Sequence, residues 1–148
     1  MSASMKWKLV KARTTKVTRA TTRPRHGIEH HCRDLNGWPR SWMGLEKDVP
    51  PGEQLIALFR PFLEYLAASD LAPKTIQKHV DNVWVLGGEF IRDLNYDPSL
   101  RKTPVDVVLR RMIESDGGPL LYHGGEDEQR SFDSTCRKLR RFLTEKAR

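Results

Sequence analysis

The stretch PKTIQKHVDNVWVLGGEFIRDL, residues 73–94, decides the fold. Ile76, Val80, Val83, Trp84, Phe90, Ile91 and Leu94 recur at three- and four-residue intervals, which is the signature of one apolar stripe on a helix. Pro73 suits the first helical position, where the missing N–H costs nothing. A helix over about 73–95 follows. Gly87 and Gly88 fall in its middle, at about 1 kcal/mol each relative to alanine. Either another helix crosses close at that point or the helix breaks there.

The same periodicity extends outward. Leu55, Leu58, Phe59, Phe62, Leu63 and Leu66 predict a preceding helix over about 53–68, with Pro61 inside it as a kink. Asp70-Leu71-Ala72 separates the two. Thr103-Pro104 opens a third helix, about 104–115, carrying Val105, Val108, Leu109, Met112 and Ile113 and ending at Gly117-Gly118-Pro119. The loop Leu120–Gly125 is apolar enough to pack back on the core. A last helix spans about 127–146, with Phe132, Cys136, Leu139, Phe142 and Leu143 on one face. Four amphipathic helices without a convincing strand make an all-α bundle. Leu63, Leu66, Ile76, Val80, Trp84, Leu109, Leu139 and Phe142 are its expected core.

Charge divides the chain differently. Residues 1–50 hold 11 Lys/Arg against 4 Asp/Glu, and residues 51–148 hold 15 of each. Lys6, Lys8, Lys11, Arg13, Lys16, Arg19, Arg23 and Arg25 meet no acid within the first 25 residues. Residues 1–25 therefore read as a disordered basic arm, 26–52 as an irregular connector containing His and Trp, and 53–148 as the four-helix domain. Such an arm suits a polyanion, and nucleic acid is the commonest one. Its composition overlaps that of organelle transit peptides but lacks a sustained amphipathic pattern. No run approaches the roughly 18 apolar residues of a membrane span, and no apolar secretory segment opens the chain. Two cysteines, Cys32 and Cys136, make no disulfide framework. These features predict a cytoplasmic protein with free thiols and no membrane partner.

Two basic features sit on predicted helices. Arg130, Ser134, Arg137 and Arg141, flanked by Lys138 and Arg140, line one face of the last helix, which can follow phosphates or enter a groove. Lys74, Thr75 and Lys78 surround the start of the 73–95 helix, where backbone amides favour phosphate, and Gln77 there suits a base edge. Taken alone, a solvated face is the commoner reading of the first feature, and ordinary helix-start chemistry is favoured for the second.

Phe62-Leu63-Glu64-Tyr65-Leu66, then Leu71-Ala72-Pro73-Lys74-Thr75-Ile76, then Thr135-Cys136-Arg137-Lys138-Leu139-Arg140-Arg141-Phe142-Leu143 resemble the core-binding domain of phage-integrase-type tyrosine recombinases. The resemblance covers about residues 53–148. It implies a four-helix, SAM-like bundle whose second and fourth helices face duplex DNA. It selects Lys74, Thr75, Lys78, Arg137, Lys138 and Arg141 as contacts. The chain departs from that family at Gly87-Gly88, where members usually carry bulky residues, and at Asp81, Glu89 and Asp93, which weaken the positive field. No catalytic domain follows, and Tyr65, Tyr96 and Tyr122 all lie within the helical stretch or its loops. The resemblance thus implies DNA contact without recombination chemistry, with a recombinase as one protein partner. Leu86–Leu94 and the Leu120–Gly124 loop also resemble small bacterial proteins of this length, which implies no function.

Other clusters carry less. His26, His30, His31 and Cys32 are zinc-ligand types, but no second pair follows at finger spacing, so no metal is expected. Trp38 and Trp42 either stack on a partner or pin the connector to the domain, and pinning is the commoner role. His123, Asp133 and Ser134 lack the local motif of a nucleophile, so no enzyme and no cofactor are expected. The expectation is a non-enzymatic module contacting double-stranded DNA. The alternative is a protein-interaction or regulatory module on the same bundle, anchored by Trp38, Trp42 and Leu120–Tyr122.

Overall fold

Five α-helices form among the described residues: α1 (Trp38–Trp42), α2 (Val49–Ala67), α3 (Pro73–Tyr96), α4 (Val105–Met112) and α5 (Glu126–Lys146). No strand forms among them, so the protein is an all-α bundle. The structure is a computed structural model that describes residues 27–114, 116–121 and 124–146. The expected basic arm, His26, Tyr122 and His123 lie outside the described residues.

The four long stripes fold as their spacing predicts. Phe59, Phe62 and Leu63 of α2, Val83, Leu86 and Phe90 of α3, Leu109 of α4, and Phe132 and Leu139 of α5 meet in one core. α2 stays a continuous helix through Pro61. It closes where Ser69 Oγ donates to the Leu66 carbonyl at 2.6 Å. α3 then starts at Pro73, with the Ile76 N–H reaching the Ala72 carbonyl at 3.0 Å. Residues 117–121 are tied back to α5. Asp133 accepts from the Gly118 N–H, and Gln129 both accepts from Leu121 N–H and donates to the Pro119 carbonyl. Leu121 packs on the core, whereas Leu120 points outward at 84% exposure, against the expectation that the whole loop folds inward.

The expected irregular connector over 26–52 is corrected. This segment makes short 3-10 turns at Ile28–His30 and Leu35–Gly37, then α1, a third 3-10 turn at Glu46–Asp48 and the first turn of α2. Ile28, Cys32, Leu35 and Trp38 repeat at near-helical spacing, and all four are buried in the core. The Ile28 N–H donates to Glu64 Oε1 at 3.1 Å, which fixes the start of the segment against the last turn of α2.

α1 also explains the two glycines. α3 runs unbroken through Gly87 and Gly88 because the Trp42 ring lies on them. A Cβ on Gly87 would overlap that ring, while one on Gly88 would sit 3.5 Å from Trp42 Cδ1, an ordinary contact. Trp42 Nε1 donates to the Trp84 carbonyl at 2.9 Å, and Trp84 Nε1 donates to Ser41 Oγ at 3.0 Å. Trp84 is therefore not the core residue expected from its stripe. It stands at the stripe's edge, 42% exposed, with its polar nitrogen engaged by α1. Phe142, also expected in the core, is partly buried against it.

A buried ion pair closes the opposite end of α3. Asp48 has no exposed surface and accepts from the Gly44 and Leu45 amides, Asn95 Nδ2 and the Arg101 guanidinium. Burial alone pushes its pKa up. The hydrogen bonds from Arg101, Asn95 and the two amides overcome this and hold it at about 2.

Two stability predictions follow from these contacts. Gly88→Ala is expected to stabilise by up to about 1 kcal/mol through helix propensity. Gly87→Ala is expected to destabilise by about 1–2 kcal/mol, because overlap with the indole outweighs that same gain. Urea midpoints of the two variants decide it, and equal midpoints contradict the packing. For Asp48, the folded pKa lies below the unfolded value. Its stabilisation is thus complete above about pH 4 and is lost as pH falls through about 2. Asp48→Asn is expected to cost about 3 kcal/mol near neutrality by leaving Arg101 uncompensated, and to flatten the acid limb of stability against pH.

Candidate nucleic-acid interface

A polar seam sets how the two basic helices stand. His79 Nδ1 pairs with Thr135 Oγ1 at 2.7 Å, and Asn82 Nδ2 donates to Thr135 Oγ1 at 2.9 Å and to Ser131 Oγ at 3.1 Å. Rising numbers on α3 thus meet falling numbers on α5, so the helices are antiparallel. Lys74 and Thr75, about one turn before His79, share an end of the bundle with Lys138 and Arg141, which follow Thr135. The Lys138 charge also reaches His79. Burial first, and this ammonium second, lower the imidazole pKa.

The eight nominated residues separate into groups. Lys74, Thr75, Lys78 and Arg141 are exposed and Lys138 is partly so. None of the four cations among them has an ion-pair partner among the described residues. The other three are engaged within the protein. Gln77 donates to Asp81 at 3.0 Å, Arg130 pairs with Asp127 at 2.8 Å, and Arg137 donates to the Asp116 carbonyl at 3.0 Å. Lys78 stands over a groove that also holds Asp81, Glu89 and Glu128, so its surroundings are mixed. Lys74, Thr75, Lys138 and Arg141 thus share one end of the bundle as open donors, whereas Gln77, Arg130 and Arg137 are engaged within the protein.

One residue at this end has no binding role in the sequence reading. Tyr65, in the last turn of α2, is exposed, and its ring lies 5.3 Å from Phe142 of α5. Phe62, Tyr65, Lys138, Arg141, Phe142 and Glu145 line a cleft of about 100 Å³. The signal was the place of Tyr65 at the margin of the α2 stripe, where an aromatic ring with a polar tip can face water. Ile28 is fixed to Glu64 in this same turn of α2.

Other chemistry has weaker support in the geometry. Cys32 and Cys136 are buried, and burial foremost pushes each thiol up to about 12, so neither is a ready thiolate. Cys32 Sγ donates to Asp34 at 3.3 Å, and His30 and His31 meet edge to face at 5.1 Å. No group of three or more His, Cys, Asp or Glu is placed to hold a metal ion among the described residues. Asp133 is occupied in holding Gly118 and Gln129. No helix among the described residues is long and apolar enough to cross a membrane.

The seam gives a direct test of the convergence. Lys138→Gln is expected to raise the His79 pKa, read from imidazole NMR shifts against pH, and an unchanged value contradicts the placement of Lys138 beside the seam. His79 titrates below the ordinary value of about 6.5. The unfolded chain therefore binds this proton first, and stability contributed here falls as pH drops through the window below 6.5. Lys138→Gln narrows that window.

Compared with known proteins, the chain matches no family model, no curated protein and no solved structure.

Proposed function

We propose that this chain is a non-enzymatic DNA-binding module whose fixed contact surface is the end of the bundle formed by the start of α3 and the last turns of α5. What supports the reading is that Lys74, Lys138 and Arg141, cations without ion-pair partners among the described residues, share one end of the bundle, together with the eight cations that the sequence carries at positions 6–25. Fixed cations orient a duplex by its phosphates, and the basic segment adds affinity that does not depend on sequence. The start of α3 adds exposed backbone amides and the Thr75 hydroxyl.

The finer reading is a SAM-like, core-binding-type module acting beside a recombinase. It rests on the resemblance of Leu71–Ile76 and of the last helix. The protein-interaction alternative loses support from its aromatic anchors. Trp38 is buried and Trp42 is packed on Gly87 with its nitrogen bonded, which leaves Leu120 as the exposed member of that set among the described residues.

The test is duplex affinity against salt by fluorescence anisotropy. Lys74→Ala, Lys138→Ala and Arg141→Ala together are expected to reduce the slope of log K against log salt by about 3, roughly one per phosphate contact. Deleting residues 2–25 is expected to reduce it by several more. Arg130→Ala, whose guanidinium already holds Asp127, is expected to change it by less than about 1. Absence of duplex binding at low salt ends this reading and favours the protein partner.

A further inference from the structure

The aromatic step beside the basic cluster has a shape of its own. Phe62 is fully buried, Phe142 packs on it with ring centroids 5.5 Å apart, and Tyr65 lies 5.3 Å from Phe142 at a tilt of 41°. The series runs from core to solvent. Tyr65 ends it at 59% exposure, and its hydroxyl has no hydrogen-bond partner among the described residues. Phe62 and Phe142 hold the inner side of the step in place, and much of the Tyr65 surface is open. Lys138 and Arg141 flank it, and Lys146 Nζ lies 5.8 Å from the Phe142 centroid. Glu145 lines the same cleft.

An anchored ring between cations that lack ion-pair partners suits a base with its phosphates, because any base offers a π-face and the cations can follow the backbone. The cleft of about 100 Å³ is well below the roughly 300–1,000 Å³ of a pocket that encloses its ligand. A base would rest on the step rather than enter it. A base within an intact duplex has both faces already stacked, so the group that fits is an unpaired one. Glu145 offers an acceptor to an exocyclic amine, as carboxylates do to cytosine N4.

We infer that Tyr65 is a stacking platform for one unpaired base of a DNA strand whose flanking duplex lies on Lys74, Lys138 and Arg141. The inference rests on the DNA-binding reading and adds the structural class of DNA that the site distinguishes, duplex bearing an extrahelical base.

The experiment uses the full chain and three duplexes of one sequence: fully matched, with a single bulged cytosine, and with a bulged abasic nucleotide. The last keeps the backbone distortion and removes the base. The cytosine bulge is expected to bind about tenfold tighter than the abasic one, in keeping with base–aromatic stacking. Tyr65→Ala is expected to remove that ratio and Tyr65→Phe to keep it, with helicity checked by circular dichroism. 2-Aminopurine in the bulge is expected to be quenched on binding the native chain and the Phe variant. If Tyr65→Ala fails to fold, the ratio and the quenching in these two proteins still decide. Equal affinity for the two bulges, with matched-duplex binding present, overturns the stacking platform and leaves the DNA-binding reading standing. Binding to none of the three duplexes at low salt overturns both.

Discussion

The Trp42 indole lying on Gly87 is the contact on which the rest of the arrangement depends. It holds a five-residue helix, too short to be stable alone, against the middle of the longest one. Trp42 Nε1 caps the contact at the Trp84 carbonyl, and Trp84 Nε1 returns a bond to Ser41. The glycine weakens α3 locally by about 1 kcal/mol relative to alanine. The indole on that bare backbone offsets this through a large apolar contact and a bonded nitrogen. The segment before α1 is buried with it, through Ile28, Leu35 and Trp38.

α3 is therefore a shared wall. Its glycine face takes α1, and its His79 and Asn82 face takes α5. The second contact is polar, and that matters for register. An apolar seam tolerates a slip of one turn at modest cost, whereas His79, Asn82, Ser131 and Thr135 satisfy one another in one alignment. A slip leaves buried polar groups without partners, at about 1–3 kcal/mol each. The same alignment determines which cations of α5 stand level with Lys74.

The four long helices were legible because a 3.6-residue period sustained over several turns has few competing explanations. The conflict at Gly87-Gly88 was legible too, since mid-helix glycines imply a close neighbour or a break. What the sequence could not name was that neighbour. Ile28, Cys32, Leu35, Trp38 and Trp42 do repeat at helical spacing, but Gly37, Pro39 and interspersed charges break the run into turns of a few residues. Their order comes from tertiary contact rather than from local propensity. Trp84 misled for the opposite reason: it fits the stripe, yet it is too large to sit wholly inside at the stripe's edge. At the site, the residue types were legible and their pairing was not. Arg130 and Arg137 look like Arg141 in sequence, and only the folded positions of Asp127 and Asp116 separate them.

That separation gives the bundle its electrical polarity. α5 carries Glu126, Asp127 and Glu128 in its first turn and Lys138, Arg141 and Lys146 toward its end, an order that also suits the helix dipole. The three acids of that first turn lie away from Lys74, while Lys138 and Arg141 share its end of the bundle with Glu145. Residues 51–148 carry equal numbers of both signs, so a local field arises there from placement and not from surplus. The surplus belongs instead to positions 6–25, which hold eight cations and no acid.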